Sequence, residues 1–422
     1  MMDLKFVREN PEKVKEILRR REEQVDIDKI LALDEKRRIL IKKRDELRHL
    51  RKEISEFFNK QKEKLSAEEI NKKREEAKEI SRKVKEIDDE LSLIEKELKE
   101  LLLYLPNKIH PSVKDEEVII KEEGEIPKFD FKPFCHWEIG EVLGILDLER
   151  SAKIAGSRFI LFKGLGALLE RALINFCLDY HRKYHNYLEI SPPYLNKEEC
   201  FYGAGQLPKL KDEMYYLPED ELYLIPTAEV PLVNLHANEI LKEDDLPKYY
   251  MAYTACFRRE AGSYGKDVRG IIRVHQFDKV ELVKYTLPED SYFELEKMVK
   301  EVEAILKALK LPYRIKQLAA KDMAFQSAKT YDIDVYAVGI GEWLEVSSIS
   351  NCEDFQAKRN NTRVRRRNGE LDYCHILNGS GVAFPRVFIA IVENYQQKDG
   401  SIIIPEVLRP YLSGLEKIER RK

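Results

Sequence analysis

Residues 254–281 read TACFRREAGSYGKDVRGIIRVHQFDKVE, and within them Arg258, Arg259, Glu260, Lys266, Asp267 and Arg269 share a loop with Gly262, Gly265 and Gly270. Two β-rich runs, 249–257 and 271–285, flank that loop, so a hairpin with guanidinium groups at its tip is expected. Guanidinium forks take phosphate oxygens in pairs, and glycine lets a backbone close over a polyanion. The ligand class this predicts is a nucleotide. A second group, Glu345-Val346-Ser347-Ser348, follows a strand-like run at 332–338 and the turn Gly339-Ile340-Gly341. A carboxylate and a hydroxyl on such a strand are the hard oxygen donors that Mg²⁺ takes while keeping waters and phosphates. A third group, Leu377-Asn378-Gly379-Ser380-Gly381, leads through Arg386 into an apolar helical run at 387–395. Plainer readings stand beside each of these: Glu345 as an exposed strand carboxylate, Phe277 as a core residue, and Arg258 and Glu260 as partners of one another.

The elements that must position these residues differ between the two parts of the chain. No glycine precedes Gly124 and no proline lies between Pro11 and Pro106, while the first 100 residues hold 29 basic and 27 acidic side chains. So charged a segment cannot build a compact core of its own. Leu33, Leu40, Leu47 and Ile54 recur every seven residues, with Leu50 and Phe57 three beyond the last two. Ile80, Val84, Ile87, Leu91, Ile94, Leu98 and Leu101 alternate steps of four and three. These are heptad seams, and they predict a two-helix antiparallel coiled coil over about 30–103 within an N-terminal segment 1–106. Ser66-Ala67-Glu68-Glu69 reads as the capping box that starts the second helix. Arg37, Lys42, Lys43, Arg44, Arg48, Arg51 and Lys52 give the first helix a basic stretch, suited either to RNA phosphates or to ion pairs along a solvated face.

Residues 107–135, with Pro111, Gly124, Pro127 and Pro133, read as a connector, and 136–422 as a body mixing helix and strand patterns, with a helix at 167–183 and a strand at 188–194 running into Pro192-Pro193. The formal charge of −3 advertises no general polyanion binder, so any nucleic-acid contact must be local. Charged residues make up 36% of the chain, mostly Lys and Glu, a balance that ion-pair networks exploit at high temperature. The start lacks an apolar signal core and the longest apolar runs, such as 387–392, are too short to span a bilayer, so a cytoplasmic protein without membrane contact is expected. Cys135, Cys177, Cys200, Cys256, Cys352 and Cys374 are scattered without a Cys-x-x-Cys pair, which argues against a disulfide framework and a zinc site.

The Arg258-x-Glu260 step, the glycine-rich basic loop, Arg273, His275-Gln276-Phe277 and Glu281 resemble motif 2 of class II aminoacyl-tRNA synthetases, and their wording resembles the bacterial seryl-tRNA synthetases. The segment 188–194 is similar to motif 1, and 377–395 to motif 3. The resemblance implies an α+β fold, with a helical arm reaching the long variable arm of tRNA(Ser) and a catalytic domain built on an antiparallel β-sheet flanked by helices. It implies a homodimer that activates L-serine with ATP and Mg²⁺ and then charges tRNA. Within it, Arg258, Glu260, Arg269 and Arg386 are the expected catalytic residues, Arg258 at the α-phosphate and Arg386 near the γ-phosphate. Arg259, Glu260, Phe277, Glu345, Val346, Ser347 and Ser348 are expected at ATP, with Glu345 and Ser348 holding the metal. Thr227, Ala228, Glu229, Glu281 and Ser380 are the expected serine pocket, and the basic run Lys358, Arg359, Arg363, Arg365, Arg366 and Arg367 is suited either to the acceptor end of tRNA or to a solvated surface.

This chain departs from the family pattern at Val268, where threonine is usual, and at Phe384-Pro385, where a small residue usually precedes the arginine. Two other readings therefore stand beside the first. One is a diverged paralogue that activates a small amino acid for a different acceptor. The other is a coiled-coil interaction protein with an inactive body, against which the joint presence of Arg258, Glu260, Glu281, Glu345 and Arg386 argues.

Overall fold

The computed structural model describes residues 2–61, 66–261 and 269–420. The tip of the basic loop, with Gly262, Gly265, Lys266, Asp267 and Val268, and most of the turn expected between the long helices lie outside the described residues. The chain divides into two compact units, Met2–Pro106 and Asn107–Lys422.

The first unit is helical: α1 Leu4–Glu9, α2 Pro11–Arg20, α3 Ile27–Gln61 and α4 Ala67–Leu103. At the start of α4 the Ser66 hydroxyl accepts from the Glu69 N–H at 3.2 Å, and the Glu69 carboxylate accepts from the Ser66 N–H at 2.9 Å. That reciprocal pair is the capping box read from the sequence. With neither glycine nor proline inside it, α4 runs for 37 residues, or about 55 Å at 1.5 Å per residue. Ile80, Val84, Ile87, Leu91, Ile94 and Leu98 are all buried along one stripe of α4. Opposite the start of that stripe, Ile54 packs with Leu47 and Phe58, whereas Leu50 and Phe57, expected in the seam, are exposed. A straight helix drifts about 20° per heptad against a 3.5-residue repeat, so by its last turns the seam of α3 has moved from position 57 to 58.

Part of the basic stretch on α3 is spent within the hairpin. Arg37 pairs with Glu95 at 3.0 Å and Arg48 with Asp88 at 3.0 Å, with Arg44 3.6 Å from Asp88. Among the described residues no ion pair engages Lys42, Lys43 or Arg51.

The second unit is organised by an eight-stranded sheet: β1 Val118–Glu123, β2 Leu188–Glu189, β3 Lys248–Phe257, β4 Gln276–Thr286, β5 Tyr313–Gln317, β6 Lys329–Ala337, β7 Glu342–Asn351 and β8 His375–Ala383. Their spatial order is β1-β5-β6-β7-β8-β4-β3-β2, antiparallel throughout except for β2 beside β3. Around it stand α5 His136–Leu143, α6 Leu165–Tyr184, α7 Glu229–Val233, α8 Ser291–Ala308 and α9 Phe384–Asn394. Strand side chains alternate between faces. Val280, Leu282, Ile333, Val335 and Ile349 pack one face into a core with Leu173, Leu295, Met298, Phe388 and Ile391 of the helices. On the opposite face Val283, Tyr285 and Ala252 pack beneath Phe201, Ile225, Val230 and Leu232. That cover stops short of the ends of β4 and β8, where the site lies.

Several boundaries differ from the sequence expectation. Pairing of β3 with β4 ends at Phe257 opposite Gln276, so 271–275 is irregular rather than strand. Its polar backbone groups are taken elsewhere, His275 N–H by the Arg158 carbonyl at 2.8 Å and His275 C=O by the Arg258 N–H at 2.9 Å. The strand expected at 188–194 is only Leu188–Glu189, since prolines 192 and 193 have no N–H to donate to a ladder. Within the stretch read as a connector, β1 forms the outer strand beside β5. Helix α9 begins three residues before the apolar run, with Pro385 in its first turn and Phe384 buried in the core, so the bulk of Phe384 is turned away from the cavity beside Arg386. No helix among the described residues is long and apolar enough to cross a membrane. All six cysteines are free thiols.

Candidate active site

Two one-residue bulges bring the chemistry to one face of the sheet. In the β6–β7 pair Asp332 lies opposite Ser348 and Asp334 opposite Glu345, with Val346 the extra residue. Residues three apart on a regular strand point to opposite faces; the bulge restores Glu345 and Ser348 to the same one. In the β8–β4 pair Ser380 lies opposite Glu281 and Ala383 opposite Lys279, with Gly381 unpaired. A Cβ at Gly381 would come within 2.9 Å of a Val280 methyl, so the close approach of β8 to β4 requires glycine there. Phe277, Lys279, Glu281, Ser380 and Ala383 therefore share a face.

They open into a cavity of about 250 Å³ lined by Arg258, Glu260, Ile272, Arg273, Val274, Phe277, Lys279, Glu345, Val346, Ser380, Ala383, Pro385 and Arg386. Four cations against two carboxylates make it a site for an anion, and Phe277 supplies an aromatic wall. The Arg258 guanidinium stands 5.1 Å from the Phe277 ring centre and donates from Nε to the Pro226 carbonyl at 3.2 Å. Glu260, in the left-handed region at φ +52°, faces Arg273 at 3.5 Å and Arg158 at 3.9 Å. Thus Arg258 and Glu260 each have other partners. Arg386 donates to the Glu345 carbonyl at 2.6 Å and lies 3.8 Å from its carboxylate.

Beyond Lys279 lies a cluster of buried polar side chains. Thr227 donates to Glu281 at 2.8 Å and accepts from Lys279 Nζ at 2.9 Å, while Lys279 is ion-paired to Glu281. Ala228 is buried at the entry to α7, and Glu229, the first residue of α7, accepts from Gln356 at 2.7 Å and Gln326 at 3.2 Å. Burial, with the nearby Glu281 charge as a second cause, pushes the Glu229 carboxyl up to about 7. Ser347 donates to the Ser380 carbonyl at 2.5 Å and so fixes β7 against β8 beside the cavity.

The acidic end of the cavity is Glu345 with Asp332 beneath it. Asp332 is buried, one of its oxygens has no hydrogen-bond partner among the described residues, and burial together with the Glu345 charge pushes it up to about 8. The Ser348 hydroxyl bonds Asp332 and favours its charged form. Among the described residues there is no cluster of three His, Cys, Asp or Glu that would hold a metal alone. Two carboxylates and a hydroxyl with a free carboxylate oxygen fit a hard cation that draws its other ligands from water and phosphate.

Not every expected residue is at the cavity. Arg259 is exposed, with its guanidinium 5.2 Å from the Tyr215 ring and Nε on the Met214 carbonyl at 2.9 Å. Arg269 lies over Trp137 at 4.9 Å. The basic run after Cys352 is largely neutralised: Lys358 pairs with Asp354, Arg366 with Glu289 and Arg367 with Asp244, each at 2.7 Å. Arg359 is no surface cation, since it donates to the Tyr202 and Leu207 carbonyls and stacks 4.5 Å from Phe355. Conversely, Lys279, Asp332 and Arg273 belong to the site although sequence reasoning gave them no role. The signal for Lys279 is its spacing, two residues from both Phe277 and Glu281 on one strand.

The sheet, its bulged strands and the arginine–phenylalanine cavity define the core of a class II aminoacyl-tRNA synthetase, and the family described as the tRNA synthetase class II core domain (G, H, P, S and T) matches residues 213–395. The seryl-tRNA synthetase N-terminal domain matches residues 1–109. Serine–tRNA ligase of Thermodesulfovibrio yellowstonii is 51% identical over 99% of this chain and 100% of its own length. Among solved structures, seryl-tRNA synthetase from Pyrococcus horikoshii complexed with ATP superposes with a TM-score of 0.94 at 36% identity, covering both chains fully. Cytoplasmic serine–tRNA ligase from Naegleria fowleri in complex with AMP gives a TM-score of 0.88 at 30% identity, covering 100% of this chain and 99% of that one. The chain belongs to the seryl-tRNA synthetase family.

Proposed function

We propose that this chain is an ATP-dependent serine–tRNA ligase. The observation that carries the reading is the position of Lys279 and Ser380, which line the cationic cavity while Lys279 bonds Thr227 and Glu281 of the polar cluster. A nucleotide in the first and a small polar amino acid in the second would meet at that junction. The serine carboxylate attacks the α-phosphorus of ATP, forming the seryl-adenylate anhydride as pyrophosphate leaves. A hydroxyl of the terminal tRNA adenosine then attacks the seryl carbonyl and AMP departs. Two anions must approach in the first step, so alignment and charge neutralisation dominate the catalysis.

Arg258 faces the α-phosphate, with its planar group already braced by Phe277 and the Pro226 carbonyl. Phe277 carries the adenine ring, Glu260 accepts from its amino group, and Arg386 takes the distal phosphates with Arg273. Arg259 and Arg269 would join them only by leaving Tyr215 and Trp137. Glu345 and Ser348, with Asp332 behind Ser348, would hold Mg²⁺, which when bound neutralises phosphate charge. Glu229 and Glu281 receive the serine ammonium and hydroxyl with Thr227, and Ala228 and Ser380 close the pocket. A pocket built from buried polar groups rejects an amino acid that leaves them unpaired.

The helical hairpin with its free Lys42, Lys43 and Arg51 is the surface for tRNA(Ser), while the homodimer, through the 188–194 segment similar to motif 1, and the cytoplasmic location rest on the family resemblance. Serine-dependent exchange of pyrophosphate into ATP tests the first step and separates the ligase from an inactive interaction protein. Charging of purified tRNA(Ser) separates it from a paralogue with another acceptor. Deleting residues 30–100 should abolish charging and spare exchange; charging that survives the deletion refutes the arm's role.

A further inference from the structure

One buried group outside the cavity ties together all three segments that line its nucleotide side. Glu393, near the end of α9, is fully buried, and its carboxylate accepts four hydrogen bonds. One oxygen takes the His136 N–H at 2.9 Å and His136 Nδ1 at 2.8 Å. The other takes the backbone N–H groups of Gly339 at 2.8 Å and Ile340 at 3.0 Å. The same helix carries Arg386, and the Gly339–Ile340 turn leads into β7 and Glu345. On its other edge His136 Nε2 lies 3.1 Å from the Ile271 N–H. A backbone N–H can only donate, so Nε2 is the acceptor and Nδ1 carries the proton to Glu393; the ring is fixed in one neutral tautomer by its two neighbours.

Ile271 opens the run to Phe277 that supplies Ile272, Arg273, Val274 and Phe277 to the cavity. Just before it, Gly270 has φ +76°, and a Cβ there would sit 2.0 Å from His136 Nε2 and 2.9 Å from Trp137. The backbone therefore presses directly on the His136–Trp137 pair, and the Trp137 face carries the Arg269 guanidinium.

We infer that His136 is a positioning residue for the nucleotide: oriented by Glu393, it sets the start of the Ile271–Phe277 wall. This rests on reading the cavity as the ATP site. His136 contacts none of Thr227, Glu229 or Glu281, so serine binding is untouched.

The contacts of His136 separate by substitution. His136→Asn keeps a donor near Nδ1 for Glu393 and withdraws the acceptor from Ile271, whereas His136→Gln keeps an acceptor within reach of Ile271. ATP binding is measured by calorimetry with no amino acid present, and the KM values for ATP and serine by pyrophosphate exchange. For His136→Asn, ATP binding weakens about tenfold, as expected when a buried N–H loses its acceptor, with a matching rise in the ATP KM and a serine KM changed less than about twofold. His136→Gln recovers most of the loss. Gly270→Ala, whose added methyl would meet His136 Nε2 at 2.0 Å, shifts the same wall and weakens ATP binding about threefold with the serine KM unchanged. Equal rises in both KM values, no recovery in His136→Gln, or ATP affinity within about twofold of wild type in both His136→Asn and Gly270→Ala overturns the inference. Should the histidine variants not fold, Gly270→Ala decides it. Wild-type protein that fails to bind ATP overturns the nucleotide site as well, while wild type that binds ATP but exchanges nothing with serine overturns only the choice of amino acid.

Discussion

Substituting Glu229 by glutamine should make the protein more stable and less active, by amounts that follow from one buried carboxyl. Its pKa is raised from 4.5 to about 7, chiefly by burial and then by Glu281. Between those values the folded protein keeps a proton that the unfolded chain has released, so stability from this group is full below pH 4.5 and is lost as pH rises through 7. A difference of this size corresponds to roughly 3 kcal/mol at pH 8. Glutamine has no proton to lose, and its carbonyl still accepts from Gln356 and Gln326, which bond the same carboxylate oxygen in the parent. The variant should therefore match wild type near pH 4 and melt several degrees higher at pH 8, as scanning calorimetry at the two pH values would show. Its cost falls on serine. Removing a charged partner for the ammonium costs about 1.5–3 kcal/mol, or roughly 10- to 150-fold in serine KM. Since only the ionised carboxylate serves, the wild-type serine KM should fall as pH rises through about 7, and that slope should vanish in the variant. A variant no more stable at pH 8 than wild type contradicts the burial argument, and an unaltered serine KM removes Glu229 from the pocket.

Arg258→Ala removes a preorganised cation and should slow adenylate formation by about 10²–10³, the ~2.7–4 kcal/mol typical of one charge-stabilising donor; a loss below about tenfold in pyrophosphate exchange assigns the α-phosphate to another residue. Lys284 is fully buried between Glu294 at 2.9 Å and Glu301 at 3.0 Å. Lys284→Met leaves two buried carboxylates without their counter-charge and should cost roughly 3–5 kcal/mol in urea unfolding of the second unit. Ser66→Ala breaks the capping box of α4 and should cost about 1 kcal/mol, seen as loss of helical circular dichroism at a lower temperature in the first unit, with exchange activity unchanged.

The long helices were legible because their rules are local. A heptad stripe and a capping box are read within a few residues, and α4 begins where Ser66 and Glu69 say it should. The seam of α3 was misread at Phe57 because a strict seven-residue count ignores the drift of a straight helix. The cavity was legible in outline, since Arg258, Glu260, Phe277, Glu345 and Arg386 all reach it. Spacing could not say which arginines point inward. Arg259 and Arg269 are one and eleven residues from Arg258, yet their guanidinium groups rest on rings supplied by Tyr215 and Trp137, contacts that only the tertiary fold creates. Lys279 was passed over because a lysine in a strand reads as solvated until its neighbours Thr227 and Glu281 are seen around it.

The bulges at Val346 and Gly381 are the least legible features and the ones the site most depends on. By strict alternation Glu345 would face the helices with Ile349 while Ser348 faced the cavity, and a carboxylate and hydroxyl on opposite faces could not share one cation. One extra residue reverses the parity of everything before it, which is how Glu345 comes to stand above Asp332 and beside Arg386. Gly381 does the same for Ala383 relative to Ser380, carrying β8 toward α9 with its small side chain turned into the cavity. The bulge at Val346 thus aligns Glu345 with Ser348, and the bulge at Gly381 aligns Ser380 with Ala383. A local break in the sheet's own periodicity sets both alignments, and that break leaves no signature in a pattern of apolar and polar residues.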